Sequence, residues 1–392
     1  MTGPRAFSNR LPERTDANAL SQAVAAMRND GIGIVDLTES NPTRAGFDYP
    51  ADLLRALGDP AALTYEPHPL GLRSAREAVA HDCARRGAAV SPDAVVLSAS
   101  TSESYTWLFK LLCNPGESVV VPQPSYPLFE HLTRLEGLTV SPYDLHYHGR
   151  WEIDLDAVAA APATTRAVLL VSPNNPTGSF ISSRELEQVA AICRQRGWAL
   201  IADEVFADYA LDEGVPLTDI SSRAGVLSFS LSGASKSLGL PQVKLGWLVV
   251  GGPPAARAAA LAGLELIADT FLSVSTPVQI AASDLLRRGA AIRIAIHERV
   301  RRNLSRARDT ARRYPSCELL RVEGGWCAPI RVPVTRGEEA LVLDLLERER
   351  ILVHPGYFFD FPHEAFVIVS LLPQEDIFAE AFERTLRFLH SW

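Results

Sequence analysis

The chain has 392 residues, of which 47% are hydrophobic and 21% charged, and its formal net charge is −8. This length predicts two domains, and the acidic balance gives no indication of binding to nucleic acid or to a membrane surface. No apolar run approaches the roughly 20 residues that a membrane span needs, and the polar N-terminus lacks the apolar core of a signal peptide. The five cysteines form no Cys-x-x-Cys pair, so we expect free thiols in a cytoplasmic protein.

Short apolar runs then alternate with amphipathic helical stretches along most of the chain. This alternation is typical of an α/β fold with a mostly parallel central sheet and helices on both faces. The predicted strands lie in 94–100, 117–126, 166–178, 199–206, 225–236 and 243–251, and the predicted helices begin at 101 and 183.

The pattern changes after about residue 290. An Arg-rich helix over 284–313 precedes short predicted strands and a final helix, which indicates a smaller α+β domain. We expect a large domain over 46–289 and a small domain made of 1–45 with 290–392, joined by the segment GIVDLTESNPT. A solvated face explains the arginines better than nucleic-acid binding, because this acidic chain has no stacking aromatics there.

Lysine is rare in this sequence. The chain has 35 arginines and three lysines, and two of the lysines, Lys236 and Lys244, lie within SGASKSLGLPQVKLGW. A lysine amine can lose its proton and form a Schiff base, whereas an arginine cannot. Lysines retained against such a bias are therefore candidates for chemistry.

Chemically distinct side chains follow several of the predicted strands. Ligands of open α/β sheets bind at the carboxyl ends of the strands, so we expect these groups to meet at one rim. An amide, a carboxylate, an amine, a helix N-terminus and an aromatic ring suit an aromatic, phosphorylated, carbonyl-bearing cofactor. The residues are Asn175, Asp203, Lys236, Thr101 with Ser102, and Tyr126.

The motifs SPNNPTG, ADEVF and SGASKSLGLPQVKLGW occur in this order along the chain. In order and spacing the sequence resembles the class I/II pyridoxal-phosphate-dependent aminotransferases of fold type I, which are similar to aspartate aminotransferase. The resemblance covers nearly the whole chain. It implies pyridoxal 5'-phosphate as cofactor and ping-pong transfer of an amino group from an amino acid or other amine to a 2-oxo acid.

The resemblance implies a role for four residues around the cofactor ring. Lys236 would form the Schiff base and move the proton at the substrate's amine-bearing carbon. Asp203 would pair with the ring nitrogen and keep it protonated. Asn175 would hydrogen-bond the ring's 3-oxygen, and Tyr126 would stack on the ring face.

The resemblance also implies how the phosphate is held. Ser100, Thr101 and Ser102 would bind it at a helix N-terminus, together with Lys244. Family members usually have an arginine at the position of Lys244; a surface lysine is the alternative. Tyr65 matches a tyrosine that reaches the phosphate of the other subunit, so a homodimer is expected.

The sequence departs from the family pattern at two further positions. Phe206 stands where a tyrosine usually donates to the 3-oxygen, so we expect the Schiff base with Lys236 to stay protonated to higher pH. Ile368 stands where an arginine usually binds the substrate carboxylate, and no arginine occurs anywhere in 351–383. Either another residue binds the carboxylate, or the substrate lacks an ordinary one.

Candidate substrate-binding residues lie in and after the joining segment. Ser40 and Asn41 occupy a stretch where family members contact substrate, and Arg44 is a candidate partner for the carboxylate. A solvated loop arginine is the alternative for Arg44. His354 and Tyr357 are weaker candidates at the rim.

The motifs leave other activities open. A pyridoxal-phosphate-dependent lyase or decarboxylase would share Lys236, Asp203 and Asn175, and a non-catalytic regulator that binds the cofactor is an alternative of another class. His146 and His148 share one face of a predicted strand, but no third ligand is evident, so no metal site is predicted.

Overall fold

The computed structural model describes residues 7–12, 16–212, 220, 225–272, 274–333, 337–363 and 365–391. The strands are β1 (Val35–Asp36), β2 (Val95–Ser98), β3 (Ser118–Gln123), β4 (Thr139–Tyr147), β5 (Trp151–Ile153), β6 (Thr165–Val171), β7 (Ala199–Asp203), β8 (Ser228–Gly233), β9 (Gly246–Gly251), β10 (Glu318–Leu319), β11 (Cys327–Arg331), β12 (Ile351–Leu352), β13 (His354–Pro355) and β14 (Phe366–Ser370). The α-helices are α1 (Ala19–Asn29), α2 (Arg73–Arg85), α3 (Thr101–Leu112), α4 (Leu128–Leu135), α5 (Leu155–Ala159), α6 (Ser183–Arg196), α7 (Ala234–Ser237), α8 (Pro254–Phe271), α9 (Thr276–Ala311), α10 (Glu338–Glu349) and α11 (Glu375–Ser391).

An eight-stranded sheet forms the centre of the molecule, in the order β2-β9-β8-β7-β6-β3-β4-β5. The pairings from β8 through β7, β6 and β3 to β4 are parallel, and those of β9 with its two neighbours and of β5 with β4 are antiparallel. The six strands other than β5 and β9 therefore run in one direction. The expected α/β fold with a mostly parallel sheet is confirmed.

Alternate residues of β6 pack on opposite sides of this sheet. Leu169 belongs to a core cluster with side chains of α3 and α8, whereas Leu170 belongs to a cluster with side chains of α6. Both leucines are completely buried. Because side chains alternate along a strand, a near-continuous apolar run is what a strand covered on both faces requires.

The C-terminal part contains a four-stranded antiparallel sheet in the order β10-β11-β14-β13. The N-terminal segment joins this part through a parallel pairing of β1 with β12, in which Val35 lies opposite Ile351. This pairing places Val35 and Asp36 beside the C-terminal part. The domain limits stay a prediction, and the 36-residue α9 runs across the expected boundary at 290.

The arginines of α9 mostly form ion pairs. Arg302 and Arg306 lie within 3.2 Å of the Glu375 carboxylate at the start of α11, and Arg308 lies 3.0 Å from Asp212. These contacts account for the basic face of the helix without a nucleic acid. In the part of the chain that the structure describes, no helix is long and apolar enough to cross a membrane, and no cluster of side chains could hold a metal ion.

Candidate active site

A cavity of about 340 Å³ opens at the carboxyl ends of the central strands. Its volume lies within the range of small-molecule sites. The strands β2, β6, β7 and β8 each lead into a segment that lines it. The position is the one expected for a ligand site in an open α/β sheet.

One end of the cavity is the N-terminus of α3. Ser100 caps the helix, and its hydroxyl oxygen accepts from the Glu103 backbone N–H at 3.2 Å. β9 passes close by, since a Cβ added to Gly246 would come within 2.9 Å of the Ser100 carbonyl carbon. Glycine at 246 thus lets the strand approach the helix start, where backbone N–H groups favour an anion.

Lys236 lies in the short helix α7, directly after β8. Its amine lies over the rings of Phe206 and Trp326, at 5.5 and 5.0 Å from their centroids. Burial lowers the pKa of this amine, because an apolar environment disfavours the ammonium form. The Tyr209 hydroxyl donates to the Lys236 carbonyl at 2.6 Å and so helps to hold α7 in place.

Asp203 ends β7 and is the half-buried carboxylate of the site. Burial raises its pKa to about 6, and hydrogen bonds from Val205 N–H and Tyr105 oppose that rise. The two donors lie 3.1 Å from Oδ1 and 3.0 Å from Oδ2. Together they orient a carboxylate that is mostly ionised at neutral pH.

Asn175 is held in a tight loop between β6 and α6. The loop ends at Gly178, which has a φ of +72°, and an added Cβ there would come within 2.6 Å of the Gly324 carbonyl oxygen. Any other residue at 178 would therefore have a strained backbone, and its Cβ would clash with the Gly324 carbonyl oxygen. The Asn175 Oδ1 atom is buried, and no described residue hydrogen-bonds it.

The opposite side of the cavity, which we call the C-terminal wall, comes from the C-terminal part of the chain. It consists of Trp326, Cys327, His354, Phe359 and Ser370. The Ser370 hydroxyl donates to the carbonyl of residue 39 at 2.6 Å, which ties this wall to the joining segment. Burial lowers the pKa of His354 to about 4 and raises that of Cys327 to about 12. The wall is therefore uncharged at neutral pH.

Most of the predicted site residues line this one cavity. They are Ser40, Ser100, Thr101, Ser102, Tyr126, Asn175, Asp203, Phe206, Lys236 and Lys244, together with the rim candidate His354. Lys244 is exposed and has a left-handed backbone, with a φ of 58°.

Four predicted residues lie elsewhere. Asn41, Arg44 and Tyr357 are not among the lining residues; the Asn41 side chain accepts from Thr43 instead, and Arg44 is exposed. Tyr65 is 69% exposed and lines a separate shallow cleft. Within this subunit Arg44 therefore lies outside the cavity, and its pairing with a substrate carboxylate stays a prediction.

Tyr105, Trp326 and Cys327 line the cavity without having been predicted. Tyr105 could have been found, because it lies one helical turn after Thr101 on a helix already placed at the site. Trp326 and Cys327 had no comparable signal. Their approach to Lys236 depends on the packing of the C-terminal part against the central sheet.

Comparisons with known proteins agree with this geometry. The family model described as "Aminotransferase class I and II" matches residues 34–377. The glutamate-pyruvate aminotransferase AlaA of Haemophilus influenzae is 28% identical, with 93% of each chain covered, and the alanine aminotransferase of Mycobacterium tuberculosis is 29% identical over 95% of this chain and 89% of that protein. An aminotransferase structure from Escherichia coli superposes with a TM-score of 0.87 at 25% identity, covering 100% of this chain and 99% of the other.

Proposed function

Because the chain belongs to the class I and II aminotransferases, we propose that its cavity binds pyridoxal 5'-phosphate and transfers an amino group between an amino acid and a 2-oxo acid. The observation that carries this proposal is the half-buried Lys236 amine, which lies in one cavity with the half-buried Asp203 carboxylate. The Lys236 amine supplies a nucleophile, and the Asp203 carboxylate supplies a negative charge that can pair with a cationic group of the cofactor. The alternative activities of a lyase or a regulator have no separate observation in their favour.

The residues present fit this cofactor. The Asn175 Oδ1 atom is buried and has no hydrogen-bond partner among the described residues, as expected of a group that binds a ligand. The 12-residue helix α3 directs its N-terminus at the cavity beside Lys244, a suitable site for a phosphate. Asp203 would pair with the ring nitrogen, and the Tyr126 ring would cover one face.

When bound, pyridoxal phosphate supplies an aldehyde that reacts with amines and a ring that withdraws electrons from the neighbouring carbon. Lys236 provides the amine for covalent attachment. Since burial lowers the pKa of Lys236, its neutral form is more abundant near neutral pH than that of an exposed lysine. Once free, the same amine can take a proton from the substrate carbon and return it.

Asp203 keeps a negative charge at the far end of the cavity. The Tyr105 hydroxyl donates to one of its carboxylate oxygens, and the Val205 N–H donates to the other. The carboxylate is thereby fixed in orientation before the cofactor arrives. An oriented charge requires little reorganisation during the reaction, which is the usual source of electrostatic stabilisation in enzymes.

A labelled donor tests the proposal directly. We would supply ¹⁵N-labelled alanine or glutamate, the donors suggested by the names of the relatives, with a panel of 2-oxo acids. Transfer predicts the label in one new amino acid and no release of ammonia. Release of labelled ammonia without a new amino acid would instead identify a lyase, and no reaction of any donor with fully loaded protein would contradict the proposal.

We further propose a homodimer in which Tyr65 contributes to the phosphate site of the other subunit. Leu63 and Tyr65 are 90% and 69% exposed in the single chain, which is unusual for neighbouring large apolar side chains. Hybrids of Lys236→Ala and Tyr65→Ala subunits provide the test. If Tyr65 acts across the interface, each hybrid retains one intact site and regains activity; if it acts within its own subunit, the hybrid stays as inactive as the parents.

A further inference from the structure

Tyr209 connects three segments around the Lys236 amine. It is completely buried and is not among the residues that line the cavity. Its hydroxyl donates to the Lys236 carbonyl at 2.6 Å, and its backbone N–H donates to the Phe206 carbonyl at 2.9 Å. Its own carbonyl accepts from the N–H of Gly325 at 2.9 Å, directly before Trp326. One residue is thus bonded to the turn after β7, to α7 and to the segment before β11.

The ring of Tyr209 also supports the ring of Trp326. The two rings pack edge to face, with centroids 5.1 Å apart and an interplanar angle of 66°. Phe206 packs on Trp326 in the same way, at 5.1 Å and 69°. The Lys236 amine in turn lies over the Trp326 ring, 5.0 Å from its centroid. Tyr209 therefore holds both the backbone that carries the amine and the ring over which the amine lies.

The short helix α7 depends on such contacts with other segments. It has four residues, too few for intrahelical hydrogen bonds alone to hold it. The Lys236 carbonyl accepts from the Tyr209 hydroxyl and, at a longer 3.2 Å, from the Gly239 N–H. Burial raises the pKa of Tyr209 well above its usual value, so its hydroxyl stays protonated and remains a donor.

We propose that Tyr209 positions the Lys236 amine for proton transfer at the amine-bearing carbon of the substrate. By bonding the Lys236 carbonyl and packing on Trp326, it fixes where the amine lies over the ring. Tyr209 lies outside the cavity lining, so it acts through Lys236 and is a positioning residue. This inference rests on the proposed function, because the transfer reaction defines the carbon that the amine must reach.

Tyr209→Phe removes the hydroxyl and keeps the ring. Loss of one neutral hydrogen bond that orients a reacting group should lower kcat by about three- to tenfold. KM should stay the same, because the side chains that line the cavity are unchanged. Proton transfer becomes slower relative to the other steps, so the isotope effect on kcat should increase for a donor that carries deuterium on its amine-bearing carbon.

Nuclear magnetic resonance reports the position of the amine without any reaction. The chain has three lysines, so labelling with lysine that carries ¹³C at Cε gives three signals, which Lys110→Arg and Lys244→Arg assign. Protons over the face of an aromatic ring are shielded, so the Lys236 signal should lie upfield of the other two. Tyr209→Phe should move it toward them. The spectra are recorded on the full chain without cofactor and with pyridoxamine 5'-phosphate, which leaves the lysine amine free.

Tyr49→Phe is the matched control. The Tyr49 hydroxyl donates to the Gly239 carbonyl at 2.7 Å, three residues after Lys236, and Tyr49 is not among the residues that line the cavity. Burial raises its pKa to about 12, so it is a neutral donor of the same kind. This variant should leave the Lys236 signal and the isotope effect as they are in the parent protein. Urea unfolding establishes that both variants are folded.

Trp326→Phe gives a second, independent test of the amine's position. A phenyl ring shields less than an indole, so the Lys236 signal should move toward the other two although Tyr209 is intact. A Lys236 signal that lies with the other two in the parent protein, or that does not move in Trp326→Phe, would contradict the inference without use of a Tyr209 variant.

Two further results would overturn the inference. The Lys236 signal and the isotope effect could both stay unchanged in Tyr209→Phe, which would show that the hydroxyl does not position the amine. Equal changes in Tyr49→Phe and Tyr209→Phe would assign the effect to a general loosening of 234–241. If no donor reacts with fully loaded protein, the proposed function fails, whereas the lysine signals still decide whether Tyr209 holds the amine over Trp326.

Discussion

The side of the cavity formed by the central sheet carries ionisable groups, whereas the C-terminal wall is neutral. Asp203, Lys236 and Lys244 belong to the first side, and Trp326, Cys327 and His354 to the second. The ends of the central strands and the N-terminus of α3 hold the charged groups in fixed positions. Fixed positions suit the chemical steps that are the same for every substrate. The C-terminal wall consists of uncharged side chains, whose shape suits selection among substrates.

The largest effect should come from removing the amine on the charged side. Lys236→Ala should lower kcat for transfer by at least about a thousandfold, because it removes both the attachment point and the proton carrier. Borohydride reduction followed by peptide mass spectrometry should then find no cofactor on the 232–247 segment. Lys110→Ala, outside the cavity, should behave as the parent protein; label on another lysine in the parent would contradict the assignment.

Asp203→Asn should have the next largest effect, a loss of about 100-fold in kcat, since the amide keeps the shape and removes the charge. The pH dependence of cofactor binding gives a finer test. Asp203 has a raised pKa of about 6, so its ionised form, and with it cofactor affinity, should be lost as the pH falls through about 6. Tyr105→Phe removes a donor that lowers this pKa, so the loss should begin at higher pH.

The lowered pKa of His354, in the neutral wall, predicts how the stability of the protein depends on pH. Burial lowers its pKa from 6.5 to about 4, so the unfolded chain binds a proton between these values and the folded protein does not. Stability should therefore decrease as the pH falls from about 6.5 to about 4, by on the order of 1–3 kcal/mol from this residue. In urea unfolding, the free energy of unfolding of His354→Phe should decrease over this pH range by about 1–3 kcal/mol less than that of the parent protein. Equal sensitivity would mean that His354 is charged in the folded state.

Phe206 lies where the two sides meet, and its effect should be the smallest. It packs edge-on against Trp326, with ring centroids 5.1 Å apart, and is 6% exposed. Phe206→Tyr would add a donor toward the cofactor's 3-oxygen and lessen the charge that holds a proton on the Lys236 nitrogen. The pH midpoint of the visible absorbance change should then fall by about one unit. An unmoved midpoint would show that residue 206 has no part in setting it.

The sequence by itself determined the central sheet and the charged side of the cavity. Continuous apolar runs indicate strands covered on both faces, and polar residues directly after such strands must meet at one edge, because parallel strands share it. Asn175, Asp203 and Lys236 were therefore predictable as a group from local patterns alone.

Only the tertiary structure decided the C-terminal wall. Trp326 and His354 come from different segments of the C-terminal part; Trp326 stands in no pattern that predicts a site, and His354 was only a weaker candidate at the rim. Their position depends on the ladder that sets His354 opposite Ile368 and on packing that brings the Trp326 ring within 5.0 Å of the Lys236 amine. The same packing leaves Arg44 exposed and outside the cavity, although its position in the chain had suggested otherwise. Contacts between residues far apart in sequence follow from how whole elements pack, and no local spacing encodes them.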